Sequence, residues 1–445
     1  MFSRSQLGEP GPPLSDDAIA ELAQLTEQTP DSFVGVIPAG FTYLGQFVDH
    51  DITFDPTPLS AKTDDPLGRA DFRTPRFDLD SVYGAGPADQ PYLYEWADRE
   101  LRGVKLVIGL STDGKDNADD LPRNAQELAL VGDPRNDENL IVAQLHLLFL
   151  LFHNKVVEHV AAQGLAGHAL FLEAQRIVRW HYQWIVVHDF LERIVGHTID
   201  GVERKFLHFE DEPFIPFEFS GAAYRFGHSM VRDSYDLNDL LGGSGKPKPV
   251  ILAHAESPGK LAHLGGFRQM PPRLGIMWER FYELSADAPL MSNRIDTSLV
   301  PHLRDLPKDV DGQRRGLATL NLLRARDLGL PTGQQVAHAM GIDPLPADEI
   351  YRATVAAAEL RSATPLWYYV LAEARTLHEG KQLGPIGGQI VAEVLVGLLE
   401  ADAGSYVPRR PAWVPNELLA ENTNFTMADL VRFTAPRRPH IESHL

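Results

Sequence analysis

Five stretches of this sequence concentrate side chains that could do chemistry. The first, Gly45-Gln46-Phe47-Val48-Asp49-His50-Asp51-Ile52-Thr53, sets an amide, two carboxylates and an imidazole between apolar residues. That mix suits proton transfer by a His whose neighbouring carboxylates point different ways. On a helix, Gln46 and His50 are i,i+4 and share a face, while Asp49 and Asp51 leave on other sides. A polar turn with a satisfied His is the plainer reading. The second stretch, Thr74 to Gly84, alternates Asp78 and Asp80 with apolar residues after Thr74 and Arg76. Hard cations are gripped in this way, and calcium takes about 6–8 oxygens. The loop supplies too few, so a partner segment is needed, and Asp51 is a candidate. An Asx-type turn is the alternative; the spacing is not that of an EF-hand.

The third stretch, Gly132-Asp133-Pro134-Arg135-Asn136-Asp137-Glu138-Asn139, runs into a strongly apolar segment. Asp133 and Pro134 read as a helix N-cap and first-turn pair, and Asp137 and Glu138 suit the positive helix end. Arg135 opposes that dipole, which suggests an anionic or polar partner there. In the fourth, Tyr224 to Met230, Arg225 and His228 are i,i+3, and Gly227 would admit something flat and bulky such as a macrocycle. In the fifth, Leu320 to Pro331, Asn321 and Arg324 are i,i+3 before a Gly329/Pro331 helix stop. A core histidine and an exposed basic helix end are the plainer readings of these two. Other candidates fail. Gly242 to Pro247 lacks the glycine spacing and the hydroxyl of a phosphate loop. The i,i+7 pairs His146/His153 and His181/His188 read as core histidines, and no Gly-x-Ser-x-Gly elbow is present.

The elements that must position these residues are mostly helical. Leu140–Gln163 is apolar nearly all round, the mark of a central helix. His168–Gly196 is longer and amphipathic, and Asp16–Gln28, Gln334–Met340, Ala347–Glu359 and Ile386–Glu400 are further helices. Strand signals are few and short. Long Pro- and Gly-rich loops at 51–100, 197–220 and 236–275 separate the helices, and such loops are more often functional than empty. No repeat or composition shift divides the chain, so residues 1–445 read as one large, mainly α domain with very little β and irregular arms at about 1–15 and 433–445.

Composition excludes whole classes of function. The 445 residues include no cysteine, which removes disulfides, Cys-ligated zinc, iron–sulfur clusters and thiol nucleophiles. With 61 acidic and 41 basic side chains the net charge is −20, against nucleic-acid binding and compatible with hard cations. The N-terminus lacks the apolar core of a signal peptide. The longest apolar run, Leu140 to Phe152, is shorter than the roughly 20 residues of a membrane span. The expectation is a cytoplasmic protein, or one exported without a classical signal peptide.

Taken in order, the five stretches resemble the animal-type haem peroxidases of the peroxidase–cyclooxygenase superfamily, over about residues 40 to 335. The resemblance implies a helical domain around a buried haem b. It makes His50 the distal catalytic histidine, Gln46 its neighbour in the distal pocket, and Arg135 the distal arginine that stabilises charge on the departing oxygen. It makes His228 the proximal iron ligand and Asn321 the acceptor for that ring's other nitrogen. Arg225 and Arg324 would sit by the haem propionates, and Asp49 and Glu138 would form ester links to haem methyl groups. Asp51, Thr74, Arg76 (through its carbonyl), Asp78 and Asp80 would bind calcium. The implied activity uses hydrogen peroxide to form a ferryl intermediate that oxidises a small anion or an organic donor, and it suggests a part in the response to oxidative stress.

Departures from the family pattern refine this. Asn139 stands where chloride-oxidising members carry a Met bonded to a haem vinyl group, so bromide, iodide, thiocyanate or organic donors are expected before chloride. Arg76 replaces a usual aromatic, Asp80 a common Ser, and Leu328 a frequent His. Fatty-acid dioxygenases of the superfamily need a Tyr three residues before the proximal His; here that position is Arg225, and Tyr224 is expected to point elsewhere. A haem fatty-acid dioxygenase and a non-catalytic haem- or calcium-binding protein are the alternatives. The absence of cysteine rules out thiolate-ligated haem and suggests a bacterial member.

Overall fold

The central segment folds as the apolar pattern dictates. In a computed structural model, Leu140–Ala161 is a 22-residue helix with sixteen residues buried, among them every Leu and Phe except Leu151. The model describes residues 7–26, 34–53, 74–112, 117–198, 202, 204–207, 209, 212–239, 250–251 (backbone), 263–304, 306, 316–351, 357–408, 412–419 and 423–436. Among these, nine helices of seven or more residues form the frame: α1 (Asp16–Thr26), α2 (Gly40–Ile52), α3 (Leu140–Ala161), α4 (Gly167–Ile185), α5 (Leu317–Asp327), α6 (Gly333–Ala339), α7 (Leu366–His378), α8 (Pro385–Ala401) and α9 (Met427–Thr434). Strands occur as three antiparallel pairs, of which Val34–Pro38 with Met291–Asn293 leads directly into α2.

Helix α3 is the hub. Helices α2, α4 and α9 pack on it. It is long and apolar enough to cross a membrane by length and composition, but 83% of that window is buried inside the fold. All-round apolarity here reflects a helix enclosed by other helices. The face of α2 that meets α3 carries Phe47, whose ring stacks on Phe149 at 4.8 Å while Tyr182 of α4 meets both edge-on. This aromatic triad fixes the rotation of α2.

Most expected helices are present. The longest expected one, His168–Gly196, is α4 followed by a wide π-type turn at Val186–Leu191 and a last turn ending at Gly196 in the left-handed region (φ 75°). Ala347–Glu359 is not continuous: Ala347–Ile350 and Ala358–Ser362 are separate turns, with 352–356 outside the described residues. Helix α7, LWYYVLAEARTLH, escaped the sequence reading and is buried at ten of its thirteen residues. Helix α9 extends to Thr434, into the expected C-terminal arm, and starts with a Thr426/Asp429 capping box. Residues 1–6, 437–445 and the glycine-rich 242–247 lie outside the described residues.

The start of α3 corrects another expectation. Asp133 caps a short 3-10 turn, Pro134–Asp137, accepting from the Arg135 N–H at 2.9 Å. The cap of α3 is Asn139, whose Oδ1 accepts from Ile141 and Val142. The helix dipole therefore begins beyond Arg135. Removing the central ring of the triad, Phe149→Ala, should cost about 3–5 kcal/mol, read as a lower midpoint of urea unfolding.

Candidate active site

Helical spacing gathers Gln46, Asp49 and His50 on one face of α2 while Phe47 and Val48 are fully buried behind them. That face forms one wall of a cavity of about 490 Å³, with Glu138 and Asn139 beside it. The opposite wall carries Tyr224, Arg225, Gly227 and His228, and Phe41, Phe190, Met230, Leu264, Leu303 and Leu317 make its apolar parts. Residues far apart in the sequence thus converge on one space.

On the α2 wall, Gln46 donates through Nε2 to Glu138 and accepts through Oε1 from Asn139 at 3.1 Å. Nε2 of His50 lies 3.9 Å from Glu138 Oε1. Its Nδ1 meets Oδ1 of Asn136 at 2.8 Å, and Nδ2 of Asn136 meets Nδ1 of His146 at 3.0 Å. Burial, aided by the Arg135 charge, pulls His50 down to about 4, so the ring is neutral at pH 7. Burial pushes the Glu138 carboxyl up to about 7, Arg135 opposing and Asp49 adding to the shift.

Arg135 does not line this cavity. Its guanidinium binds the buried Asp133 carboxylate at 2.8 Å and donates to the backbone carbonyls of His50 (3.1 Å) and Thr53. The sequence reading expected an anionic or polar partner and a place beside the departing oxygen; the partner is Asp133, and the guanidinium stands outside the cavity lining because Asp133 and the two carbonyls hold it. The turn is held from behind as well. Arg123 forms a two-pronged pair with Asp137 at 2.7 and 2.8 Å. The 264–267 segment hydrogen-bonds to it through Leu140 N to Leu264 O, Gly266 N to Glu138 O and Phe267 N to Asp137 O. A Cβ at Gly266 would collide with the Asp137 carbonyl.

On the far wall, Nδ1 of His228 is 3.1 Å from Nδ2 of Asn321 on α5, so the amide turns its donor end to the ring where the sequence reading expected an acceptor, because Arg225 takes its Oδ1 at 3.4 Å; Arg225 also donates to the Ser220 carbonyl at 2.8 Å. Burial, then the charges of Arg225 and Arg324, pulls His228 down to about 3. Burial and then Arg324 lower Arg225 to about 9. Both hydrogen-bond partners of Arg225 among the described residues are uncharged, so a half-buried cation faces the cavity with no described acid bound to it, an arrangement that favours an anionic ligand. A Cβ on Gly227 would meet nothing within 4 Å: the space before it is open. Tyr224 lines the cavity, contrary to the sequence expectation, with its hydroxyl donating to Gly45 O at 3.2 Å.

Behind α2, ligand oxygens of Asp51, Asp78 and Asp80 lie within 4.8 Å of one another. Leu79 between the two loop acids is left-handed (φ 55°), and its N–H donates to Asp51 Oδ2 at 3.3 Å. Burial raises the Asp78 carboxyl, with Arg179 opposing and Asp402 adding to the shift. Thr74 and Arg76 flank the loop and are exposed, with the Arg76 N–H donating to Thr74 O at 2.7 Å. The sequence reading missed Asn136, quoted without a role, and His146, set aside as a core residue. The one available signal was that Gln144 and His146 interrupt an otherwise apolar run.

The chain is similar to known proteins. The family model described as animal haem peroxidase matches residues 61–361. Human thyroid peroxidase is 26% identical over 312 residues, 64% of this chain and 32% of that protein. The chain spans well under half the length of the curated relatives it matches. Among solved structures, peroxidase A of Dictyostelium discoideum superposes with a TM-score of 0.68 at 17% identity, covering 98% of this chain and 93% of that one. The Oryza sativa fatty acid alpha-dioxygenase gives 0.65 at 16% identity, covering 97% and 82%.

The Asp133–Arg135 pair makes a pH-dependent prediction. Although burial opposes it, Arg135 holds the Asp133 carboxyl below its usual range. Asp133→Ala should destabilise by about 2–4 kcal/mol at pH 7. A depressed folded pKa adds stability above the unfolded value of ~3.9 that is lost as pH falls through the folded one. The gap between variant and wild type in urea melts should therefore narrow below about pH 4.

Proposed function

The chain belongs to the animal haem peroxidase family, and from that premise we propose that it is a haem-dependent peroxidase, reducing hydrogen peroxide at the expense of a small anion or an organic donor. The observation that carries this reading is one cavity lined by two neutral imidazoles, His50 and His228, from elements far apart in sequence. The residues present fit the cofactor: open space before Gly227 for a flat ring, a half-buried Arg225 for a propionate, and a neutral histidine for iron. His228 would ligate the iron, Asn321 would orient that ring, and Arg225 and Arg324 would pair with the propionates. When bound, haem supplies the electron-transfer chemistry.

The chain's own residues supply proton management. Neutral His50 accepts a proton from hydrogen peroxide at Nε2 and returns it to the leaving oxygen, acting as base and then acid. Gln46, Glu138 and Asn139 form a hydrogen-bonded row beside it. Arg135 acts as a positioning residue: it holds the backbone of His50 and lowers the basicity of its ring without lining the cavity. Asn139, engaged by Gln46 and by the N-cap of α3, cannot form the vinyl link of chloride-oxidising members. Bromide, iodide, thiocyanate or organic donors are therefore the proposed substrates. Asp49 and Glu138 both line the cavity and are the proposed ester-forming carboxylates. Calcium is the proposed ion at Asp51, Asp78 and Asp80, with Thr74 and the Arg76 carbonyl completing its shell.

Tyr224 in the cavity favours a second reading, a haem fatty-acid dioxygenase. Oxygen uptake with an unsaturated fatty acid, abolished in Tyr224→Phe, would select it over the peroxidase.

Haem supplementation should produce a Soret band that is lost or sharply reduced in His228→Ala; no band in the wild type would end the peroxidase reading. His50→Ala should slow the reaction with hydrogen peroxide by about 10²–10⁴-fold in stopped flow. Acid–acetone should leave haem on the protein, and haem that is freely extracted would remove the ester assignment alone. Chelation should lower the thermal midpoint of the wild type and leave Asp78→Ala unaffected; equal melts with and without chelator would remove calcium.

A further inference from the structure

A neutral histidine serves as a base only through the nitrogen that lacks a proton. For His50 to act in the cavity, its proton must reside on Nδ1 and its lone pair on Nε2. The partner at Nδ1 is the Asn136 amide, fully buried in the turn Pro134–Asp137. An amide offers an acceptor at one end and donors at the other, and a half-turn exchanges them. Held by His50 alone, Asn136 could present either end and so stabilise either tautomer.

The structure sets a second ring against the other end. Nδ2 of Asn136 donates to Nδ1 of His146 on α3, so Oδ1 is turned to His50 and Nδ1–H of His50 donates to it. We propose that Asn136 and His146 form a positioning pair that fixes His50 as the tautomer with its basic nitrogen in the cavity. The proposal deepens the peroxidase reading and rests on it for the use made of His50.

Three further observations support the pair. The backbone of Asn136 is clamped on both sides, by the Asp133–Arg135 pair and by the Arg123–Asp137 pair. His146 is braced edge-on by Phe47 at 6.1 Å, so α2, α3 and the turn share one rigid corner. His146 is also costly as packing: it is 1% exposed and its Nε2 has no hydrogen-bond partner among the described residues. An aliphatic side chain would fill a core position without stranding a polar atom, and a stranded group calls for a reason. Burial keeps the ring neutral, as an acceptor at Nδ1 must be.

The test reads the tautomer directly. Nitrogen-15 NMR of histidine-labelled protein without added haem, with the His50 signals assigned by loss in His50→Gln, should show His50 protonated on Nδ1. Asn136→Leu should convert it to the Nε2–H form or a mixture, and His146→Phe, which keeps a ring in the core, should give a mixture. In haem-loaded protein the same variants should slow uptake of hydrogen cyanide, which must lose a proton to bind, by about tenfold or more, with haem content unchanged. An Nε2–H tautomer in the wild type overturns the proposal. So do variants, Asn136→Leu or, where that chain fails to fold, His146→Phe, that keep both the Nδ1–H tautomer and the wild-type cyanide rate. A protein that takes up no haem would sink the peroxidase reading while the tautomer measurement still stood.

Discussion

The site depends on the row of hydrogen bonds that ties the turn at 133–139 to α2. Asn136 meets His50, Glu138 and Asn139 meet Gln46, and Arg135 holds the carbonyls of His50 and Thr53. Apart from the exposed Gln46–Glu138 bond, these contacts are buried or half-buried, where a lost partner leaves a polar group stranded and costs more than the bond itself contributes. The turn and the helix therefore move as one body. Helix α3 fixes the same body from below through the Phe47–Phe149 stack and from the side through Asn139, which is at once its cap and the partner of Gln46.

Burial also sets the electrostatics. The same desolvation that makes His50 and His228 neutral strands the Arg225 cation and raises Glu138. Neutral imidazoles are the competent forms of a base and of a metal ligand, and an unpaired cation is the competent form of an anion site. One physical cause thus sets the charge behaviour of all three groups, His50, His228 and Arg225. Arg135 contributes at a distance: its charge disfavours protonation of His50 while its own charge is met by Asp133.

Much of this was legible in the sequence, and what was hidden was hidden for physical reasons. The central helix was read from its apolarity, and Gln46 with His50 on one face of α2 from their spacing. The convergence of Asp51 with Asp78 and Asp80 was anticipated as a need for a partner segment. The family resemblance brought in His228 and Asn321, whose meeting across α5 no local pattern predicts. The cap of α3 was misplaced because Asp133 with Pro134 and Asn139 both satisfy cap chemistry, and only the tertiary fold chooses. Asn136 and His146 were missed because a buried amide between two rings is a tertiary fact; in one dimension each is an ordinary residue in a turn or in a core.

The clamp at Gly266 has a consequence in time. The segment that seals the 133–139 turn arrives from more than a hundred residues further along the chain, and it fits only because residue 266 has no side chain to meet the Asp137 carbonyl. The opposite wall of the cavity, at 225–228, and its support at Asn321 also come from further along the chain. Closing such loops is entropically costly, so contacts of this range form late. A finished cavity therefore exists only once the chain as far as Asn321 has folded. An unfinished chain would hold histidines but no pocket to gather them.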